Sequence, residues 1–379
     1  MKIFIPRESQ PGELRVAMIP ADVEKLVKKG AGIEMESGMG DSCHFTDQQY
    51  EQAGATVLKD RRMGLTAGDM ILRLGKPLPE EIGLLKKGTI HVSYLDPFNE
   101  RQLVQSLAAQ GVSAICMEMI PRTTLAQKMD ALSSQASLGG YVAVILAAER
   151  LKKIIPMMMT PAGTIQPARV FIIGAGVAGL QAIATAKRLG ARVDAFDTRP
   201  VVAEQVKSLG ARFVEIDLGE TGQTRDGYAR ELTPEQLQKQ REAMAKICAQ
   251  ADVVITTAQV FGRKAPVIVT KEMIAGMKPG SLIVDMAIGG GGNVEGAVYG
   301  KEIEVNGVGI IGLDNLPAHV AVHASQMYSA NLTGLVEHFW NKDTKSFDLK
   351  LEDEIIKGCL VTHDGKICSE TLQKHYLGK

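Results

Sequence analysis

Hydrophobic positions in the opening third of the chain fall into short runs separated by amphipathic stretches. Lys2–Ile5, Gly32–Glu36, Asp69–Leu74, Thr89–Tyr94 and Val112–Met117 read as buried strands. The stretches Ala21–Lys29 (closed by Gly30), Asp47–Ala53 and Glu100–Ala109 read as helices. The alternation restarts at Ala168. Arg169–Ile173, Arg192–Phe196, Val253–Thr256, Leu282–Met286 and Val308–Ile311 read as strands, and Gly179–Leu189 as a helix ended by Gly190. Strands alternating with helices predict parallel sheets covered on both faces. The polar piece between Asp217 and Gln250 is Gly- and Thr-rich, then charged and helical, and reads as a mobile functional loop near 217–240. Ser325–Trp340 reads as a helix, and the tail as polar turns. The expected fold is α/β: two Rossmann-like doubly wound parallel-sheet domains with a cleft between them. One domain spans 1–140 and is completed by 325–379; the other spans 141–324.

Composition narrows the function. A chain of 379 residues, 45% hydrophobic and 23% charged, can build two buried cores. Lys plus Arg and Asp plus Glu are each 43, and aromatics are 4%, so neither the basic footprint nor the stacking residues of a nucleic-acid binder are present. Ala131–Ala148 approaches membrane-spanning length, yet Ser133, Ser134, Gln135 and Ser137 argue for a buried helix. The chain enters its first strand without a signal-peptide h-region. Five scattered cysteines without CxxC spacing read as reduced thiols in the cytoplasm, and neither they nor the histidines suggest a metal site. Met157–Met159 and Trp340 read as core or interdomain packing.

Gly174-Ala175-Gly176-Val177-Ala178-Gly179 follows a strand and opens a helix. The glycines allow a tight turn, close backbone approach to a pyrophosphate and close helix–strand packing, and the helix N-terminus favours that anion. Asp197 ends the next strand about 20 residues on, where a carboxylate can take the ribose hydroxyls. These features predict NAD(H) binding; Arg199 leaves discrimination against a 2′-phosphate open. A second candidate is the loop from Pro121 to Gln135. Its guanidinium, amides, carboxylate and hydroxyls either grip a nicotinamide carboxamide or form a helix-capping turn, with Thr124 as cap and Gln127 completing the box. It holds no His–Asp pair.

Arg122, Gln127 and Asp130, followed by Ala-Leu-Ser-Ser-Gln, resemble the Arg-Gln-Asp loop of the NAD(H)-binding component of proton-translocating nicotinamide nucleotide transhydrogenase. The resemblance covers nearly the whole chain. It includes Ile5-Pro6-Arg7-Glu8, Arg15-Val16-Ala17, Met157–Thr160, Gly176–Ala186 and Asp226-Gly227-Tyr228-Ala229. It implies that Arg122, Gln127, Asp130 and Ser133 contact the nicotinamide, and that Asp197 binds the adenosine ribose. It also implies Thr198 and Arg199 near the phosphates, and Gly174, Gly176, Val177 and Gly179 in the glycine turn. Gly227 and Tyr228 match the tip of a mobile loop, and Gln240 and Gln259 match further cofactor contacts. Leu125 stands where a second arginine is common, and Gln259-Val260-Phe261 replaces a Leu-Ile-Pro stretch. The implied partners are a membrane-spanning proton-channel component, an NADP(H)-binding component and a second copy of this chain. The implied location is the cytoplasmic face of the inner membrane, held there through partner subunits.

Alanine dehydrogenases resemble the same opening motifs and two-domain plan, and are the alternative. Their lysine falls at Gly75, with Lys76 one step off register; their histidine falls at Asp96, and their aspartate in Gly289–Gly292. Only Arg15 remains of that machinery. An NAD-sensing regulator is a third reading, which leaves the nicotinamide loop without a purpose.

Overall fold

The computed structural model describes residues 1–219, 232–259 and 261–378. Gly227 and Tyr228 therefore lie outside the described residues. The chain forms two compact units, Met1–Gln135 with Ala318–Lys379, and Ala136–Pro317.

In the first unit six parallel strands run in the order Thr56–Leu58, Gly32–Glu36, Lys2–Ile5, Met70–Leu72, Ile90–Ser93, Ser113–Cys116. This is the doubly wound order, with its reversal point between Lys2–Ile5 and Met70–Leu72. Both central strands are apolar on every residue after Lys2, because each face is covered. Ile3, Ile5, Met70 and Leu72 enter one core, and Phe4 and Ile71 the other. The helix Ala321–His338 fills the first core with Tyr328, Leu332, Leu335 and Val336. Trp340 follows it, buried as expected, and donates to Lys29 O at 3.0 Å.

The tail departs from expectation. It does not end in turns alone: Leu360–His363 joins the sheet antiparallel to Ser113–Cys116, and Lys366–Ile367 pairs beyond it. Asp364 and Gly365 between them both have positive φ, as the tight turn of a twisted hairpin requires. These strands are too short to register as periodicity, but the Asp-Gly pair was a readable turn signal.

The second unit repeats the plan: Arg212–Phe213, Arg192–Phe196, Arg169–Ile173, Val253–Thr256, Leu282–Asp285, Val308–Gly312, then Lys301–Val305 antiparallel at the edge. Its reversal point lies between Arg169–Ile173 and Val253–Thr256. The helix Ala131–Arg150 begins in the first unit and ends in the second. Among the described residues it is the one helix long and apolar enough to cross a membrane. It is half-buried instead, with Val142, Ala143, Leu146 and Ala147 inside and Tyr141 and Ile145 outside.

Met157–Met159 correct the sequence reading. They are 57%, 45% and 73% exposed and lead into a two-stranded hairpin, Met158–Thr160 with Gly163–Ile165. A methionine run suits an irregular core and a protruding arm equally well, so composition cannot separate the two.

His91, on the strand Ile90–Ser93, is buried, with Nε2 3.1 Å from Ser93 Oγ and Nδ1 unpartnered. Burial pushes its pKa down to about 3, helped by the Arg73 charge and opposed by Glu81. The unfolded chain, titrating near the ordinary 6.5, binds the extra proton first. Stability is thus intact above about pH 6.5 and lost as pH falls toward about 3. His91→Gln should flatten this acid dependence in urea unfolding followed by Trp340 fluorescence; an unchanged slope would assign the acid sensitivity elsewhere.

Candidate functional site

Gly174 turns away from the strand Arg169–Ile173 with φ +99, a conformation that L side chains rarely adopt. A Cβ there would meet Thr257 Oγ1 at 2.5 Å, and one on Gly179 would meet Gly174 O at 1.8 Å. Thr257 donates to Ile173 O at 3.3 Å and to Gly174 O at 3.1 Å, tying the turn across the reversal point of the sheet. From Gly176 the chain enters the helix Val177–Arg188, whose first amides lack helical partners. Gly140 packs on this helix so closely that a Cβ would lie 2.1 Å from Ala178 O. The result is a shaped, side-chain-free cradle at a helix N-terminus.

Asp197 follows the strand Arg192–Phe196 and is 9% exposed. Its Oδ2 accepts from Ala175 N at 2.8 Å and Arg199 Nη2 at 2.7 Å; its Oδ1 accepts from Arg199 N and Nε, each at 2.9 Å. A carboxylate has about four lone-pair directions, so a ribose diol would have to displace a donor. The Arg199 fork is the one that can swing away. Its Nη2 lies 4.0 Å from the position of a Cβ on Gly176, over the turn that would carry a pyrophosphate. Thr198 is half-buried beside it.

The neighbouring strand ends are also organised by buried polar groups. Asp285 accepts from Ala287 N, Asn293 N, Val294 N and Thr256 Oγ1, which bends the chain through Gly289–Gly292. Burial raises its pKa. Asn293 donates to Ala258 O and Pro266 O, both at 2.8 Å, and accepts from Ala258 N at 3.0 Å. That clamp fixes the backbone from which the exposed Gln259 projects, its Nε2 3.5 Å from where a Gly290 Cβ would sit. Gln240 is buried on Pro234–Cys248 with Met244 and Cys248, on that helix's inward face.

In the first unit, Arg122 and Gln127 are exposed on the loop after the Met117–Met119 turn, and Leu125 is 74% exposed. Ala126 and Met129 plug the loop into the core beneath. The Gln127–Met129 turn carries no side-chain cap, so the capping box at Thr124 is not formed. The cap falls three residues beyond Gln127. Asp130 accepts from Ser133 N at 2.9 Å and Ser133 Oγ at 2.6 Å, starting the helix Ala131–Arg150. Arg122, Gln127, Asp130 and Ser133 thus share one loop and helix start.

The reversal point of the first sheet is filled by the chain itself. Glu8 accepts from Leu74 N at 2.6 Å and Gly75 N at 3.1 Å, and its burial raises its pKa. A Cβ on Gly75 would meet Gln10 Nε2 at 3.0 Å. Arg15 gives Nε and Nη2 to Glu13 at 2.8 and 2.7 Å, and Nη1 to Gln135 at 2.9 Å. Lys76 pairs with Glu100 and sits 4.0 Å from Asp96. Sequence reasoning missed Thr257, Asp285, Asn293 and Glu8; for the first three the signal was a polar residue at a strand's C-terminal end or beside a glycine run.

Two doubly wound sheets, one ending in a glycine cradle with an acid on the next strand, define a two-unit dinucleotide-binding α/β chain. Residues 4–139 match the alanine dehydrogenase/PNT N-terminal domain, and residues 143–370 match the alanine dehydrogenase/PNT C-terminal domain. The chain is 43% identical to an NAD(P) transhydrogenase subunit alpha of Rhodospirillum rubrum, over 98% of this chain and 99% of that one. It is similar to the structure of transhydrogenase from Sinorhizobium meliloti, with TM-score 0.87 and 42% identity, over 97% of this chain and 100% of that one. It is 31% identical to alanine dehydrogenase of Bacillus subtilis over 78% of this chain and 72% of that one. The chain belongs to the alanine dehydrogenase/PNT family of oxidoreductases.

If the cradle and Asp197 form one nucleotide site, Asp197→Asn should weaken NADH binding by about tenfold, or about 1.4 kcal/mol. Gly179→Ala should abolish it. Fluorescence titration with NADH measures both; full affinity in Asp197→Asn would remove Asp197 from the site.

Proposed function

We propose that this chain is the NAD(H)-binding component of a proton-translocating transhydrogenase. The observation that carries the reading is the exposed Arg122–Gln127–Asp130 loop, seated on buried anchors and lacking an acid–base pair. The full-length likeness to transhydrogenase alpha subunits supports it. Gly174, Gly176, Val177 and Gly179 fit a pyrophosphate, because the cradle has no side-chain atoms and faces a helix N-terminus. Asp197 takes the ribose, with Thr198 and Arg199 toward the phosphates. Arg122, Gln127, Asp130 and Ser133 hold the carboxamide; Gln240 and Gln259 add contacts, and Gly227 and Tyr228 lie on a loop that gates exchange. When bound, NADH supplies a hydride from nicotinamide C4, leaving as NAD⁺ while NADP⁺ on the partner component becomes NADPH. No proton crosses a side chain in that exchange, so this chain contributes orientation, proximity and exclusion of water. Proton movement belongs to a membrane-spanning partner, and this chain is peripheral to the membrane on its cytoplasmic side.

Specific observations weigh against an alanine dehydrogenase activity. An amino-acid substrate needs a free cation for its carboxylate and a base beside the ring. Arg15 is neutralised by Glu13, Glu8 and Gln10 occupy the space beside Gly75, and Asp96 stands where the histidine would be.

The chain also pairs with a second copy of itself. The exposed Met157, Met158, Met159 and Ile165 of the hairpin, with Tyr141 and Ile145, supply apolar surface that a solitary soluble chain rarely carries. Replacing Met158 and Met159 by lysine should convert dimer to monomer in sedimentation; a monomeric parent chain would sink this assignment.

The deciding assay is NADH oxidation by the purified chain with an NADP⁺-loaded partner domain, beside a second reaction with pyruvate and ammonium. Oxidation only with the partner is expected, and Gln127→Ala should slow it far more than it weakens NADH binding. Oxidation with pyruvate and ammonium would establish the alanine dehydrogenase instead.

A further inference from the structure

The nicotinamide loop carries its functional groups outward, and what holds it is a single side chain from the far end of the sequence. Asn331 lies on the helix Ala321–His338, 6% exposed. Its Nδ2 donates to Lys128 O at 2.9 Å, and its Oδ1 accepts from Ser134 Oγ at 2.7 Å. The orientation of the amide is fixed by chemistry: a carbonyl oxygen can only accept, so the NH₂ group faces Lys128 and the oxygen faces the hydroxyl. One planar group therefore grips the loop on both sides of Asp130. Lys128 directly follows Gln127, and Ser134 lies in the first turn of the helix that Asp130 caps.

Gly334, one turn along from Asn331, brings the two backbones close. A Cβ there would lie 3.3 Å from Lys128 O and 3.5 Å from Lys128 Cβ. The loop has no regular hydrogen-bond ladder of its own beyond the short Gln127–Met129 turn. Its apolar plugs, Ala126 and Met129, fix depth but not direction, since apolar burial is non-directional. The amide bonds supply the direction.

We propose that Asn331 is a positioning residue for hydride transfer: it touches neither nucleotide nor ring, and acts by fixing the turn that aims Gln127. The proposal rests on the transhydrogenase reading and deepens it. Misplacement of a reacting ring by about 1 Å can cost about a hundredfold in rate while leaving most binding contacts intact. Loss of Asn331 should therefore appear in the transfer step, not in NADH affinity.

Four chains decide it: parent, Asn331→Ala, Gln127→Ala and the double variant. Asn331→Ala should slow hydride transfer to an NADP⁺-loaded partner by about tenfold or more, with the NADH dissociation constant changed less than about threefold. The double variant should be no slower than Gln127→Ala alone, because the two residues act through one another. Amide exchange in the nucleotide-free chain gives a readout apart from activity: Asn331→Ala should speed exchange across residues 123–135 and leave the second unit unchanged. Asn331→Asp keeps the shape but sets an acceptor against Lys128 O, and should match the alanine variant. Should Asn331→Ala fold poorly, Ser134→Ala removes one of the two bonds and should give a smaller change in the same direction.

Equal losses in affinity and rate, additive losses in the double variant, or unchanged exchange across the loop would each overturn the positioning role. A Gln127→Ala chain with full transfer activity would overturn the functional reading and this role in transfer with it. Faster exchange across 123–135 in Asn331→Ala would then still identify a loop clamp, which separates the two failures.

Discussion

The nucleotide half of the molecule depends on how closely three backbones approach around one turn. Gly179 stacks on the carbonyl of Gly174, and Gly140 on the carbonyl of Ala178, at distances where no β-carbon fits. Removing side chains from these contacts is costly for an unfolded chain, since glycine loses more freedom on folding than any other residue. The return is a strand, a turn and a helix start packed into the space of backbone alone. The bare surface is therefore a consequence of packing, and its capacity to receive an anion follows from the helix amides left at its rim.

The other half solves a different problem. The Arg122–Gln127–Asp130 loop must expose polar groups and still keep one shape. Rigidity comes from below: buried Ala126 and Met129 fix its depth, Asp130 caps the helix Ala131–Arg150, and Asn331 holds the backbone on either side. Polar clamps recur across the molecule. Asn293 fixes the segment bearing Gln259, and Asp285 bends the glycine run beside it. Glu8 closes the first sheet's own crevice. In each case a buried polar group is satisfied by backbone, which is how it becomes a directional constraint instead of a penalty.

The alternation of strands and helices was legible because fully covered strands are apolar on both faces; Arg169–Ile173 and Val253–Thr256 stand out as unbroken runs. The glycine turn and Asp197 were legible because their spacing is set by a local strand–turn–helix unit. The C-terminal strand Leu360–His363 was missed, since four residues show no period and its partner lies far back in the chain. The hairpin at Met158 was mistaken for core, since hydrophobicity reports what a residue avoids, not what covers it. Asn331 and Asn293 were invisible for a related reason: a clamp is defined by two partners distant in sequence, and nothing in the local pattern marks an asparagine as one. The saturation of Asp197 by Arg199 likewise depends on rotamers that spacing alone does not fix.

The first unit is assembled from the two ends of the chain, with the second unit, Ala136–Pro317, inserted between them. Ser113 meets His363 across 250 positions, and the helix that fills the first core begins only at Ala321. During synthesis the inserted unit is complete on the growing chain while the first still lacks its central helix and two edge strands. Its strands near Ser113 must wait with an uncovered edge until the last residues emerge, a long-range closure of the kind that slows folding and exposes a chain to wrong pairing. The order of maturation is thus written into the topology: the inserted sheet sets first, and the nicotinamide loop acquires its anchor only when the C-terminus arrives.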